Sequence, residues 1–104
     1  YAVITTVPVQ AGSIDDLAHL FDETNRALVA GQDDWIGAWF TADRDTSTIT
    51  VVAHWRDPDS YRSFAASPSF QATMARFSDA FTGPPTITVN EILVEMAAED
   101  ADGS

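Results

Sequence analysis

The chain has 104 residues, is 45% hydrophobic and carries a net charge of −11, with 16 acidic residues set against five arginines and no lysine. This suits one small globular domain, and it excludes nucleic acid and anionic membrane as natural partners, because both demand clustered cations. With no cysteine there is no disulfide, thiolate metal site or cysteine nucleophile.

Residues 1–9, YAVITTVPV, are rich in β-branched side chains and read as a strand that frays or lies at an edge near Pro8. Gln10-Ala11-Gly12 is a turn. Ser13 then stands where a helix N-cap belongs, with Asp15 and Asp16 in a first turn whose dipole favours negative charge. Ile14, Leu17, Ala18, Phe21 and Leu28 recur at helical spacing, and Gly31 is a natural stop, so a helix is expected over 14–30. His19 groups with Asp15, Asp16, Asp22 and Glu23 on the solvated side of that helix.

After Asp33-Asp34, WIGAWFTA (35–42) reads as a second strand. The turn Asp43-Arg44-Asp45 joins it to a third, STITVVAHW (47–55), as an antiparallel hairpin. Strict alternation puts Trp35, Gly37 and Trp39 on one face, and Ile36, Ala38 and Phe40 on the other. In the third strand it puts Ile49, Val51, Ala53 and Trp55 on one face and His54 on the other. Asp57 and Pro58 start a short helix over 58–66. Ser67-Pro68 breaks it, and a further helix carries Phe70, Met74, Phe77 and Phe81 as one apolar stripe. Gly83-Pro84-Pro85 ends that helix, and TITVNEILVEM (86–96) is expected as a long fourth strand. Residues 97–104, AAEDADGS, are expected to form a flexible acidic tail.

The order β-α-β-β-α-β is the ferredoxin-like arrangement, an α+β fold with helices on one face of a four-stranded antiparallel sheet over residues 1–96. One wet face should alternate apolar with polar. Here both faces of the second and third strands are largely apolar, so the face without helices is expected to pack on a second copy of the chain, a homodimer through the sheet. No apolar run approaches the roughly 20 residues that span a bilayer. No signal peptide is legible, and a cytoplasmic protein is expected, although the chain begins at Tyr1 rather than Met.

The strand and helix layout, WIGAWF, VVAHWRDPDSYRSFAASPSF and the GPP break resemble the antibiotic biosynthesis monooxygenase (ABM) domains, over roughly residues 2–95. The resemblance implies a dimeric α+β barrel. It also implies, as in the smallest characterised members, oxidation of an anthrone-type or quinol-type aromatic polyketide by O2 with no flavin, haem or metal. In the actinorhodin-type oxygenases a third-strand Trp and a Tyr six residues later line the substrate cavity, and Trp55 and Tyr61 match them. An Asn one strand-pitch earlier also lines that cavity, where this chain has Val51. An Arg on the following helix has an approximate counterpart in Arg76. The haem-degrading branch uses an Asn, a Trp and a His whose places fall near Thr5, Phe64 and Met74, so haem degradation is disfavoured.

Reaction of O2 with a closed-shell organic molecule is spin-forbidden, and most enzymes recruit a cofactor for it. No Gly-rich dinucleotide fingerprint or metal cluster is legible, and the acidic pairs read as helix-start and turn residues. A protein acting alone must favour an electron-rich anion of the substrate and exclude water. Trp55 is then the aromatic wall of a substrate site, or core filling. Tyr61 donates a hydrogen bond to an oxyanion, or caps the barrel rim. Arg76 tips into the cavity, or is solvated off the stripe. Trp35 and Trp39 flank the pocket or pack the hairpin. His54, the tempting base, faces away from Trp55 towards the expected dimer interface. The site residues expected are therefore Trp55 and Tyr61 as catalytic, and Trp39, Val51 and Arg76 as substrate-binding. A non-catalytic dimeric ligand-binding or interaction module is the alternative on the same fold.

Overall fold

A computed structural model describes residues 1–98, so most of the expected acidic tail, 99–104, lies outside the described residues. The elements are β1 (Ala2–Pro8), a 3₁₀ turn (Ala11–Ser13), α1 (Ile14–Val29), β2 (Trp35–Asp43), β3 (Thr48–Trp55), α2 (Pro58–Ala65), α3 (Pro68–Ser78) and β4 (Thr86–Asn90). The four strands form one antiparallel sheet in the order β2-β3-β1-β4. This is the ferredoxin-like α+β fold, with α1 packed on β2 and α3, and α2 packed on β3.

Local chemistry explains most boundaries. Asp57 caps α2 by accepting from the Asp59 N–H at 2.9 Å, with Pro58 in the first turn. Ser67 caps α3 by accepting from the Phe70 N–H at 3.2 Å. Gly31 has a φ of 82°, the left-handed conformation glycine adopts at no steric cost, and lies just past the end of α1. Ser13 departs from its expected role. The 3₁₀ turn leads straight into α1, and the Ser13 side chain makes no capping hydrogen bond. Asp15 is instead held at the helix start by Arg44 of the β2–β3 turn, with Nη2 to Oδ1 at 2.8 Å.

β4 is shorter than its composition predicts. The ladder with β1 ends at the Asn90–Ala2 pair, where the Asn90 side-chain Nδ2 also donates to the Ala2 carbonyl at 3.2 Å. Residues 91–96 carry no regular structure and leave Leu93, Val94 and Met96 exposed.

β2 carries the larger correction. Trp35 pairs with Trp55, but Gly37 pairs with His54, so Ile36 is an extra residue in a β-bulge. A bulge inverts the parity of the strand beyond it. Trp35, Ala38 and Phe40 therefore share the helix-covered face. Trp39 stands on the open face, 59% exposed. Trp35 and Trp39 do not share a face, contrary to strict alternation.

The core is in two pieces. Val7, Val9, Ile14, Leu17, Ile49 and Phe77 form one buried cluster. Val3, Trp55 and Phe64 form the other, with Trp35, Tyr61 and Phe70 packed on them. A cavity lies between sheet and helices and touches both.

Candidate functional site

The floor of the cavity is the helix-facing side of the sheet. Cross-strand partners build it in rows: Val3 beside Ala53 and Ala38, Thr5 beside Val51 and Phe40, and Val7 beside Ile49. Its roof comes from α1, α2 and α3. The cavity volume is about 120 Å³. Ile87 of the edge strand β4 lines the cavity yet is 46% exposed, so the space reaches solvent on that side.

At one end Trp55 is 1% exposed, the most completely buried large side chain of the described chain. Two backbone bonds fix the end of β3: the Trp55 N–H donates to the Tyr1 carbonyl at 2.9 Å, and the Arg56 N–H donates to the Asp34 carbonyl at 2.8 Å. The Ser60 hydroxyl donates to the Asp34 carboxylate, tying α2 to the start of β2. With Asp57 capping the same helix, Tyr61 is held over Trp55. Their rings meet edge to face with centroids 5.9 Å apart and planes at 65°. Phe64 also meets the indole, tilted at 46° with centroids 5.2 Å apart, and meets Phe70 in turn edge to face at 5.1 Å.

Burial pushes the Tyr61 phenol above its ordinary value, so at neutral pH it is a hydrogen-bond donor and not a base. Neither the Tyr61 hydroxyl nor the Trp55 indole N–H has a protein partner among the described residues, and neither is sealed from the cavity or solvent. No acidic or basic side chain lines the cavity among the described residues. Nor do any three His, Cys, Asp or Glu side chains cluster there to hold a metal ion.

The expected site residues divide. Trp55, Tyr61 and Val51 lie on the cavity wall together. Trp39 does not, because the Ile36 bulge turns it to the open face, where it meets His54 edge-on with centroids 4.9 Å apart. Arg76 does not either. It is exposed on α3, two residues past Met74, while Thr73, Met74 and Phe77 face inward. His54 stands opposite Trp55, as alternation requires, and His19 pairs with Glu23 in solvent at 3.0 Å. Trp35, weighed from the sequence as a pocket flank or hairpin filling, lines the cavity beside Trp55. The polar residues Thr5, Asn25 and Thr73, which sequence reasoning did not place there, line it too. Asn25 was legible as a polar residue between Phe21 and Leu28 of the α1 stripe.

Comparison with known proteins gives a consistent picture. The family model described as antibiotic biosynthesis monooxygenase matches residues 1–76. No curated protein matches the sequence. Among solved structures the chain is similar to Rv0793 from Mycobacterium tuberculosis, with a TM-score of 0.74 and 20% identity over 92% of this chain and 97% of that one. It is similar to SnoaB from Streptomyces nogalater, a cofactor-independent oxygenase, with a TM-score of 0.69 and 22% identity over 90% and 96%. A conserved protein from Methanosarcina mazei gives 0.72 and 14% over 84% and 86%. At these identities the likeness speaks for the fold.

Proposed function

Because the chain belongs to the antibiotic biosynthesis monooxygenase family, we propose that it is a cofactor-independent monooxygenase that oxidises an aromatic, polyketide-like small molecule of the anthrone or quinol type with O2. The observation that carries this reading is the Trp55–Tyr61 pair, set edge to face at 5.9 Å on the wall of a largely apolar, uncharged cavity. Flat aromatic walls suit a planar ring system, and the unpartnered phenol is a donor for an oxygen on that ring.

The step balances without a cofactor. An anthrone methylene loses a proton to solvent at the mouth, giving an anion delocalised onto the ring oxygen, which Tyr61 stabilises by donating its O–H. One electron passes to O2. The substrate radical and superoxide join as a peroxide, which takes up a proton and loses water. The net change is CH2 + O2 → C=O + H2O. The apolar walls keep water from the anion and the peroxide.

The working unit is a homodimer that packs the open sheet face on its counterpart. Exposed Trp39 and Ile36 on that face support this, as do the apolar side chains of Leu93, Val94 and Met96, which are exposed among the described residues. We take the protein to act in the cytoplasm; no helix of the described residues is long and apolar enough to cross a membrane.

The missing base favours a second reading, a non-catalytic dimeric module that binds the same class of compound. Oxygen uptake with a panel of anthrones and quinols separates the two. Uptake that falls in Trp55→Phe and Tyr61→Phe supports the oxygenase. Binding without uptake in the wild type supports the module. Uptake unaffected by both substitutions removes the site assignment.

A further inference from the structure

Three elements break their own apolar pattern at one place. On β1 the cavity-facing series is Val3, Thr5, Val7. On α1 Asn25 follows Phe21 by four residues and precedes Leu28 by three, so it shares their face. On α3 Thr73 lies three residues after Phe70 and four before Phe77. All three line the cavity, and each lies between a member of one hydrophobic cluster and a member of the other on its own element. Thr5 lies between Val3 and Val7, Asn25 between Leu28 and Phe21, and Thr73 between Phe70 and Phe77, so they mark the gap between the clusters. The nearby Thr24 hydroxyl is satisfied, donating to the Leu20 carbonyl at 2.7 Å. The side chains of Thr5, Asn25 and Thr73 have no partner among the described residues. None of these polar atoms is sealed from the cavity or solvent, so each is open to a ligand, and polar residues that interrupt an apolar stripe are local conflicts that mark function.

We infer that Asn25, supported by Thr5 and Thr73, is a specificity-determining residue that recognises oxygen substituents at the middle of a planar, uncharged polycyclic ligand. The carboxamide offers both donors and an acceptor, so it reads a carbonyl or a hydroxyl. Tyr61 lies in the aromatic cluster and not in the gap, so a ligand spanning both meets hydrogen bonds at its middle and at one end. With no charged lining side chain the site disfavours carboxylated or sulfonated rings, whose charge would be buried unpaired. This rests on the proposed function only in taking the ligand to be a flat ring compound.

The test compares anthraquinone, which carries oxygens at mid-edge, with anthracene, which has the same outline and none. Tryptophan fluorescence titrations under argon give the affinity ratio for the full chain, Asn25→Leu and Thr73→Val, and thermal unfolding gives Tm. The wild type prefers anthraquinone. Asn25→Leu cuts that preference about tenfold, the scale of a buried hydrogen bond, and raises Tm in the absence of ligand because it completes the α1 stripe. Thr73→Val cuts the preference less. An unchanged ratio in both variants, a lower Tm in Asn25→Leu, or no preference in the wild type overturns the inference. A lost ratio in the variants together with no oxygen uptake in the wild type upholds it and removes only the oxygenase reading.

Discussion

The His54 imidazole stands edge-on to the Trp39 indole, with ring centroids 4.9 Å apart and planes at 81°, on the sheet face that no helix covers. Both side chains look chemically useful in the sequence, and the fold sends both away from the cavity. Their contact makes the open face apolar and aromatic, which isolated proteins seldom leave uncovered. Trp39→Glu is therefore expected to shift the protein from dimer to monomer in sedimentation equilibrium, with an unchanged far-ultraviolet circular dichroism spectrum. A wild type that sediments as a monomer at all concentrations refutes the dimer.

Trp55 joins β1, β3 and α2 at one end of the core. Trp55→Ala should cost about 3–5 kcal/mol, the usual range for removing a large buried aromatic. Trp55→Phe should lose much less, since Phe keeps contact with Tyr61 and Phe64. Urea denaturation midpoints at constant slope measure both. Equal midpoints for the alanine variant and the wild type would contradict the burial of this side chain.

Tyr61→Phe keeps the ring on Trp55 and removes only a hydroxyl with no partner among the described residues, so stability at pH 7 should change little. Oxygen uptake with an anthrone should fall roughly 10²-fold, the lower end for losing one oxyanion donor. The pH dependence has a definite sign. Burial raises the folded-state pKa of Tyr61 above the ordinary 10.0. The unfolded state thus deprotonates first, and the wild type loses stability as pH rises past that value. Tyr61→Phe should show a shallower alkaline decline in urea midpoint. Parallel declines for the two proteins would place Tyr61 in water.

Val51 occupies the floor beside Thr5 and Phe40, at the position where the ABM resemblance implies an Asn. Val51→Asn should cost about 1–3 kcal/mol in the empty protein, because the new amide faces an apolar space. If Trp55 and Tyr61 carry oxygenation, the same change should raise kcat for an anthrone. Lower kcat with unchanged KM would show that the valine itself serves this chain's reaction.

Much of the fold was legible because local signals agreed. Asp57-Pro58 and Ser67-Pro68 start their helices as their chemistry requires, and Gly31 lies just beyond α1. The β4 end at Asn90 was not legible, since EILVEM has good strand composition and only the register with β1 shows that the ladder ends at the Asn90–Ala2 pair. For the site, Trp55, Tyr61 and Val51 followed from alternation in β3 and from the resemblance, and they share one cavity wall. Trp39 stands off that wall for a single reason: one extra residue at Ile36 inverts the strand. Arg76, an approximate counterpart in the resemblance, is exposed off the Phe70–Met74–Phe77 stripe and outside the cavity lining.

The sequence by itself determined the element order, the helix starts and the opposition of His54 to Trp55, because these depend on periodicity and on side chains bonding to nearby backbone. Tertiary structure alone decided which tryptophan of β2 meets Trp55, where β4 loses its partners, and that Thr5, Asn25 and Thr73 share one gap in the core. Those facts depend on register and on contacts between residues far apart in the chain, and no local pattern encodes them.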